Sequence, residues 1–195
     1  RISQNETAFI FLLTYYIHVY IIDVYTSCSG LYGLHKKGET GLKLVGYALQ
    51  MLRSELEDAV GVENVIDIEQ LRKEQSIDHF WLTHMWKEKN QEMALPYYIV
   101  RPASTEETSK VMQICNTHKV PVVPRGGGSG SQGGAATLYG GILLDLTRMD
   151  KIIEINEKSL TLTAQPGING RVLEDTLNKH GLMLAHYPSS VDSAT

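Results

Sequence analysis

Cysteine is scarce in this sequence, and positive charge is not in excess. Its 195 residues contain two cysteines, Cys28 and Cys115, which lie far apart and suggest neither a metal cluster nor a disulfide framework. Lysine and arginine number 18 against 22 aspartates and glutamates, giving a net charge of −4. Nucleic-acid binding requires a concentrated basic face, so the composition does not favour nucleic acid as a partner. We expect Cys115, in a predicted helix, to be a small buried apolar residue.

A hydrophobic run long enough to span a membrane is also missing. The apolar, tyrosine-rich run at residues 8–22 is shorter than the roughly 20 residues that a spanning helix needs. Three interpretations are open: a membrane-associated anchor, a buried strand or helix, or sequence outside the folded protein. The expected location is the cytoplasm or the membrane periphery. We treat residues 1–40 as a separate N-terminal segment and expect the folded protein to follow it.

Residues 41–95 are predicted to be a helical region. From Leu42 to Gly61, apolar residues recur at spacings of three and four, which is typical of one buried helical face. That face comprises Val45, Leu49, Leu52, Leu56 and Ala59. The charged stretch that follows, Glu69 to Lys89, contains His79 and His84, which lack the i, i+4 spacing of a helical zinc site. We interpret these histidines as surface or packing residues and predict no metal site.

Residues 96–195 are predicted to form an α+β domain that begins with a βαβ unit. Tyr98–Val100 is typical of a short strand, and Ser104 with Glu107 three residues later forms a helix-capping box. Val111, Ile114 and Cys115 would form the apolar face of this helix, which should end near His118. Val120–Val123 is the expected second strand.

Further strands and one helix are predicted beyond a glycine-rich loop. Strands are expected at 141–146 and 152–155, and alternation of Leu160, Leu162 and Ala164 with polar residues predicts a half-buried strand. Pro166-Gly167 should turn the chain. Arg171–His180 is an amphipathic helix closed by Gly181.

The glycine-rich loop, residues 124–134, carries the clearest chemical signal. Glycine makes up six of its eleven residues, directly after a predicted buried strand. Glycine allows backbone amides to approach a ligand closely, and consecutive amides form a concave nest for anions. The loop is therefore predicted to bind a pyrophosphate. A flexible linker is the alternative, but linkers do not usually interrupt a strand-forming region so abruptly.

Two other phosphate-binding loops can be excluded. Residues 128–133 match the dinucleotide fingerprint G-x-G-x-x-G, but that fingerprint must open a helix, and this stretch leads through Gly140-Gly141 into a predicted strand. The nucleoside-triphosphate loop ends in Gly-Lys-Ser/Thr, and no lysine occurs between Lys119 and Lys151. The predicted phosphate site therefore has neither geometry.

In order and spacing, four motifs resemble the FAD-binding domain of the vanillyl-alcohol oxidase and p-cresol methylhydroxylase superfamily. They are Arg101-Pro102 with the Ser104 helix, the Val-Pro-Arg-Gly-Gly-Gly-Ser-Gly loop, Gly-Ile-Leu-Leu-Asp-Leu at 141–146 and Gln-Pro-Gly at 165–167. A fifth, Pro-Ser-Ser-Val-Asp-Ser-Ala-Thr at 188–195, resembles the family's second flavin-binding motif. The resemblance implies a p-cresol methylhydroxylase-type fold: a βαβ unit and a mixed sheet, in two subdomains, the second truncated here.

The resemblance also implies FAD as the cofactor and identifies the residues that would hold it. These are Pro124, Arg125, Gly126, Gly127, Gly128, Ser129, Gly130, Gly133 and Gly134 in the loop, with Pro188, Ser189, Ser190, Ala194 and Thr195 in the second motif. Many members carry a histidine after the three glycines and attach the flavin to it covalently. This chain has Ser129 there, so the resemblance implies non-covalent FAD.

The implied function is that of a flavin-dependent oxidoreductase acting on a small molecule. One branch of the family oxidises D-2-hydroxyacids such as lactate or glycolate by hydride transfer to FAD. A second branch, alkyldihydroxyacetonephosphate synthase, uses FAD without net oxidation; a truncated, non-catalytic FAD-binding module is a third alternative. In both enzyme branches the catalytic residues would lie beyond Thr195, so we expect residues 1–195 to be an incomplete domain and inactive alone.

Overall fold

A computed structural model of the chain describes residues 46–89, 94–186 and 188–195. The 1–40 segment with its 8–22 run, Cys28 and Val45 lie outside these residues. The helices are α1 (Tyr47–Val60), α2 (Glu69–Gln75), α3 (Trp81–Glu88), α4 (Thr105–Thr117) and α5 (Gly170–Lys179), with a short 3-10 turn at Val62–Asn64. The strands are β1 (Val65–Ile66), β2 (Tyr98–Val100), β3 (Val122–Arg125), β4 (Ile142–Asp145), β5 (Ile152–Asn156) and β6 (Thr161–Ala164). Within the described ranges, no helix is both long and apolar enough to cross a membrane.

A four-stranded mixed sheet organises the chain. Its strand order is β1-β2-β4-β3; β2, β4 and β3 are parallel, and β1 pairs antiparallel with β2. The unit β2-α4-β3 is the predicted βαβ crossover, with β4 inserted between its two strands. The α+β fold and the mixed sheet are therefore confirmed. β3 begins at Val122, two residues later than predicted, although Val120 is buried as expected.

Both faces of the sheet are covered, which explains the uninterrupted apolar sequence of its strands. Alternate residues of β2 and β4 (Tyr98, Val100, Ile142 and Leu144) pack against α1 and α4. The side chains between them, Ile99 and Leu143, face the other way with Val123, against Ile66 and Leu71. On α1 the predicted apolar face is confirmed: Leu52 and Leu56 are buried, and Leu49 and Ala59 pack beside them.

Helix α4 begins with the predicted capping box. The Ser104 hydroxyl accepts a hydrogen bond from the Glu107 amide at 3.2 Å. In return, the Glu107 carboxylate accepts a hydrogen bond at 2.7 Å from the amide of Ala103, the residue before the cap. Val111 and Cys115 are buried, as expected. Burial raises the pKa of the Cys115 thiol to about 12, and this agrees with the prediction of a packing residue, because the thiolate is the reactive form.

Replacing the cap should weaken the fold measurably. Ser104→Ala removes the acceptor for an otherwise unpaired amide in the first turn of α4, and we expect a loss of about 1 kcal/mol in the free energy of unfolding. Ser109→Ala is the matched control, because Ser109 lies on the exposed side of the same helix. Urea denaturation of both variants tests this. Equal stability of the two variants would show that the cap contributes nothing.

The chain after the large sheet forms an antiparallel ribbon of β5 and β6 followed by α5. Leu162 and Ala164 are half-buried, as the alternation predicted. The prediction for Leu160 is wrong: it is 73% exposed and lies in the turn before β6, with a φ of 53°. A turn that needs a left-handed residue here overrides the apolar alternation. Pro166 and Gly167 form the predicted turn.

Candidate functional site

The three parallel strands end side by side at one edge of the sheet. Arg101 directly follows β2, Arg125 ends β3, and Asp145 ends β4 opposite Arg125 in the strand register. In open sheets with parallel strands, ligands bind preferentially at this carboxyl edge. The glycine-rich loop leaves the sheet here, because Gly126 directly follows β3. No helix forms between β3 and β4, which confirms that the loop is not of the Rossmann type.

A cavity of about 420 Å³ opens at this edge. Its polar wall contains the side chains of Gln75, Arg101, Arg125, Asp145 and Thr147, together with Gly126 and Gly127. Ile66 and Leu71 supply its apolar part. We call it the sheet-edge cavity.

Two arginines and one buried carboxylate set the charge of the sheet-edge cavity. Asp145 is 6% exposed and accepts hydrogen bonds from the Thr147 amide at 2.9 Å and the Thr147 hydroxyl at 2.6 Å. Arg101 Nε lies 3.3 Å from Asp145 Oδ2, close enough for an ion pair but not aligned for a hydrogen bond. Burial lowers the pKa of Arg125, and the carboxylates of Asp145 and Asp78 oppose that shift. Arginine keeps its charge in proteins, so both guanidinium groups contribute positive charge to the cavity.

The glycine loop and the second predicted motif meet at Gly126 and Gly127. The Gly127 amide donates to Thr195 Oγ1 at 3.2 Å. A Cβ atom on Gly126 would lie 1.7 Å from Thr195 Oγ1, and one on Gly127 would lie 1.7 Å from the Ser193 carbonyl oxygen. At Gly127 the obstacle is backbone, so this position requires glycine, whereas at Gly126 the obstacle is the end of the Thr195 side chain. Gly128 has a φ of 69°, where any other residue would be strained.

A second cavity, of about 340 Å³, shares Gly127 and Thr147 with the sheet-edge cavity. The beginning of α5 lines it through Asn169 and Val172, and the second motif lines it through Ser193 and Thr195. We call it the helix-start cavity. Hydrogen bonds from the Gly170 amide to the Ala194 carbonyl (2.9 Å) and from Asn169 Nδ2 to the Asp192 carbonyl (2.8 Å) hold α5 against the motif. Gly127 is therefore shared by two adjacent cavities.

The remaining predicted residues lie farther from the two cavities. Gly130, Gly133 and Gly134 belong to the outer part of the loop. Ser190 organises the second motif, since its carbonyl accepts hydrogen bonds from the Ser193 and Ala194 amides, both at 2.9 Å. Pro124, Gly128, Ser129, Pro188 and Ser189 likewise line neither cavity among the described residues. The sequence prediction missed Arg101, Asp145 and Thr147 as site residues, although their place at or just after the carboxyl ends of predicted strands was a usable signal.

The chemistry of the two cavities fits a dinucleotide such as FAD. Gln75 Oε1 and Arg101 Nε are buried without a hydrogen-bond partner in the described part of the chain, and buried polar groups normally have one. Both residues line the sheet-edge cavity, so a ligand there could satisfy them. Two guanidinium groups and a glycine loop at its rim suit a diphosphate. Because the two cavities meet at Gly127, a ligand with two parts, such as a dinucleotide, can place one part in each cavity.

A parallel-stranded sheet edge and a glycine loop without a Rossmann helix define this chain as an α+β domain with a candidate phosphate site. Residues 96–195 match the family described as "FAD binding domain". The match covers half of the chain, and the protein belongs to that family. The predicted resemblance and the prediction of FAD as cofactor are thereby confirmed.

Relatives of this chain include proteins named as oxidoreductases. The glycolate oxidase subunit GlcD of Bacillus subtilis is 34% identical over 114 residues, which cover 58% of this chain and 24% of the relative. The D-lactate dehydrogenase of Anaerostipes hadrus is 36% identical over 90 residues, covering 46% of this chain and 19% of the relative. The chain thus matches about a quarter or less of the length of these relatives.

Solved structures confirm the fold. An alkyldihydroxyacetonephosphate synthase matches 84% of this chain and 30% of its own with a TM-score of 0.69 and 24% identity. A p-cresol methylhydroxylase matches 80% of this chain and 30% of its own with a TM-score of 0.65 and 21% identity. At these identities the likeness shows the p-cresol methylhydroxylase-type fold alone.

Proposed function

We propose that this chain is the FAD-binding part of a flavin-dependent oxidoreductase that oxidises a D-2-hydroxyacid such as lactate or glycolate. The observation that most supports FAD binding is the contact between the glycine loop and the second motif at Gly127, which lines two cavities at the carboxyl edge of the sheet. The named relatives, a glycolate oxidase subunit and a D-lactate dehydrogenase, support the substrate class.

In this proposal the diphosphate of FAD lies in the sheet-edge cavity, against the backbone of Gly126 and Gly127. The guanidinium groups of Arg101 and Arg125 face it from the sheet edge and offset its negative charge. Thr195 and Ser193 close the other side. FAD supplies the hydride acceptor of the reaction, and this chain contributes its binding and orientation. The other predicted loop and motif residues shape the backbone around these contacts.

The flavin should be held without a covalent bond at the loop. Ser129 stands where many members have the histidine that forms the link, and a serine hydroxyl cannot replace that imidazole. Acid precipitation of the flavin-loaded protein should therefore release the flavin into the supernatant. Yellow colour retained in the washed pellet would contradict this prediction and would place a covalent link at another residue.

An activity assay tests the proposed substrate class. The protein made from its whole reading frame should reduce an artificial electron-accepting dye with D-lactate or glycolate, and L-lactate serves as the stereochemical control. Dye reduction with a D-2-hydroxyacid would support the proposal. FAD binding without dye reduction from either acid would contradict the oxidase assignment and favour the synthase-like or non-catalytic alternative.

A further inference from the structure

A short segment ahead of the family-matched region lies along the glycine loop. This segment, Ser76–Phe80, connects α2 to α3 and precedes residue 96, where the family match begins. Two backbone hydrogen bonds join it to the loop region. The Thr137 amide donates to the Ser76 carbonyl, and the His79 amide donates to the Gly130 carbonyl, both at 3.0 Å. The Ile77 carbonyl accepts from Arg125 Nη1 at 2.8 Å. We call Ser76–Phe80 the loop-support segment.

Asp78 makes the most demanding of these contacts. Its side chain is 3% exposed, and burying a carboxylate is costly unless it is paired and hydrogen-bonded. One carboxylate oxygen accepts from the Phe80 amide at 3.0 Å, within its own segment. The other accepts from the Ala135 amide at 3.3 Å, just beyond the glycine loop. Its charge also acts on the Arg125 guanidinium. Asp78 therefore links the support segment, the loop and the base of the sheet-edge cavity.

Phe80 limits the loop from the same side. A Cβ atom on Gly133 would lie 3.0 Å from Phe80 Cδ1, which is tighter than ordinary contact. Gly133 has a φ of 79°, a conformation that other residues rarely adopt. The phenyl ring of Phe80 therefore packs against Gly133 at a position where any other residue would be both crowded and strained. The loop is held by hydrogen bonds at Gly130, Ala135 and Thr137 and by this packing contact between them.

We propose that Asp78 is a positioning residue for FAD binding, which acts by fixing the glycine loop through the Ala135 amide. The inference rests on the proposed function, because the loop is the part that would contact the diphosphate. A nest of backbone amides binds an anion best when its geometry is fixed before binding, since ordering the loop would otherwise reduce affinity. The functional FAD-binding unit therefore begins at the loop-support segment and not at residue 96.

The isosteric substitution Asp78→Asn tests this proposal. It keeps the shape but replaces one carboxylate oxygen by an NH2 group, so one of the two backbone amides faces a donor, and neither amide keeps a charged acceptor. We expect FAD affinity to fall about tenfold, as for the loss of one charge-assisted hydrogen bond. Glu174→Gln is the matched control: Glu174 is also buried, and its carboxylate accepts a backbone amide, that of Leu184, at 2.9 Å. Glu174 lines neither cavity, so its variant should bind FAD as the wild type does.

Hydrogen exchange in the flavin-free protein separates positioning from general destabilisation. In Asp78→Asn the amides of Ala135 and Thr137 should exchange faster, while those of Ile99 and Leu143 in the sheet should keep wild-type rates. If this variant does not fold, Asp78→Ser replaces it, since its short, uncharged side chain also removes the carboxylate from the Ala135 amide; the expected direction for exchange and FAD affinity is the same. A wild type that binds FAD alongside a variant with unchanged affinity would overturn the positioning role. A wild type that binds no FAD would overturn the proposed function instead.

Discussion

Gly127→Val should abolish FAD binding. A Cβ atom at this position would already lie 1.7 Å from the Ser193 carbonyl oxygen, and valine adds two methyl groups. The side chain would push the second motif away from the loop and displace Gly127, which lines both cavities and lies against the proposed diphosphate position. The flavin absorbance that copurifies with the protein should therefore disappear while the circular dichroism spectrum is retained.

Ser131→Val is the matched control for this substitution. It introduces the same side chain into the same loop, at a position where the native side chain is exposed. We expect the Ser131 variant to retain its flavin. A folded Gly127→Val protein with wild-type flavin content would refute the placement of the diphosphate at the loop.

Arg125→Met should have the second largest effect. It removes a half-buried cation from the sheet-edge cavity, and with it a charge-assisted interaction with the diphosphate. Such interactions contribute about 1.5–3 kcal/mol, so FAD affinity should fall roughly 10- to 100-fold. The salt dependence of FAD binding should also weaken, because one charge no longer takes part. Titration of flavin-free protein at two salt concentrations measures both effects.

Arg72→Met controls for the loss of structure alone. Arg72 is half-buried and donates to the Pro96 and Tyr97 carbonyls at 2.9 and 3.3 Å, at the opposite end of β2 from the cavity. We expect it to lower stability but not the affinity for FAD. Equal losses of affinity in the two variants would mean that Arg125 acts through the fold and not through the ligand.

The central fold was predictable because its signals are local. Runs such as Tyr98–Val100 and residues 141–146 are apolar throughout, as strands buried on both faces must be. Ser104 and Glu107, a motif that spans only four residues, indicated where α4 begins. By contrast, β1 is two residues long and exists only through its pairing with β2. Helices α2 and α3 lie in the region predicted to be helical, but they lack side-chain caps, so the sequence did not give their bounds.

The site was predictable in part for the same reason. The glycine loop and the second motif are contiguous in sequence, and the structure brings them together at Gly127 and Thr195. The sequence places Arg101 and Asp145 at the ends of predicted strands, but only the strand pairing brings these two ends together. Asp78 contacts the loop across 57 positions. No local pattern distinguishes this aspartate from its charged neighbours, so its place beside the loop emerges only in the folded chain.

Comparison of FAD with FMN tests the central claim most directly. FMN carries the same flavin but lacks the adenosine and the bridging diphosphate that the glycine loop would hold. Flavin-free protein from the whole reading frame, titrated with each ligand and followed by flavin fluorescence, should bind FAD at one molecule per chain, at least about tenfold more tightly than FMN. Equal affinity for FMN and FAD, or no binding of FAD, would contradict a diphosphate site at Gly126 and Gly127.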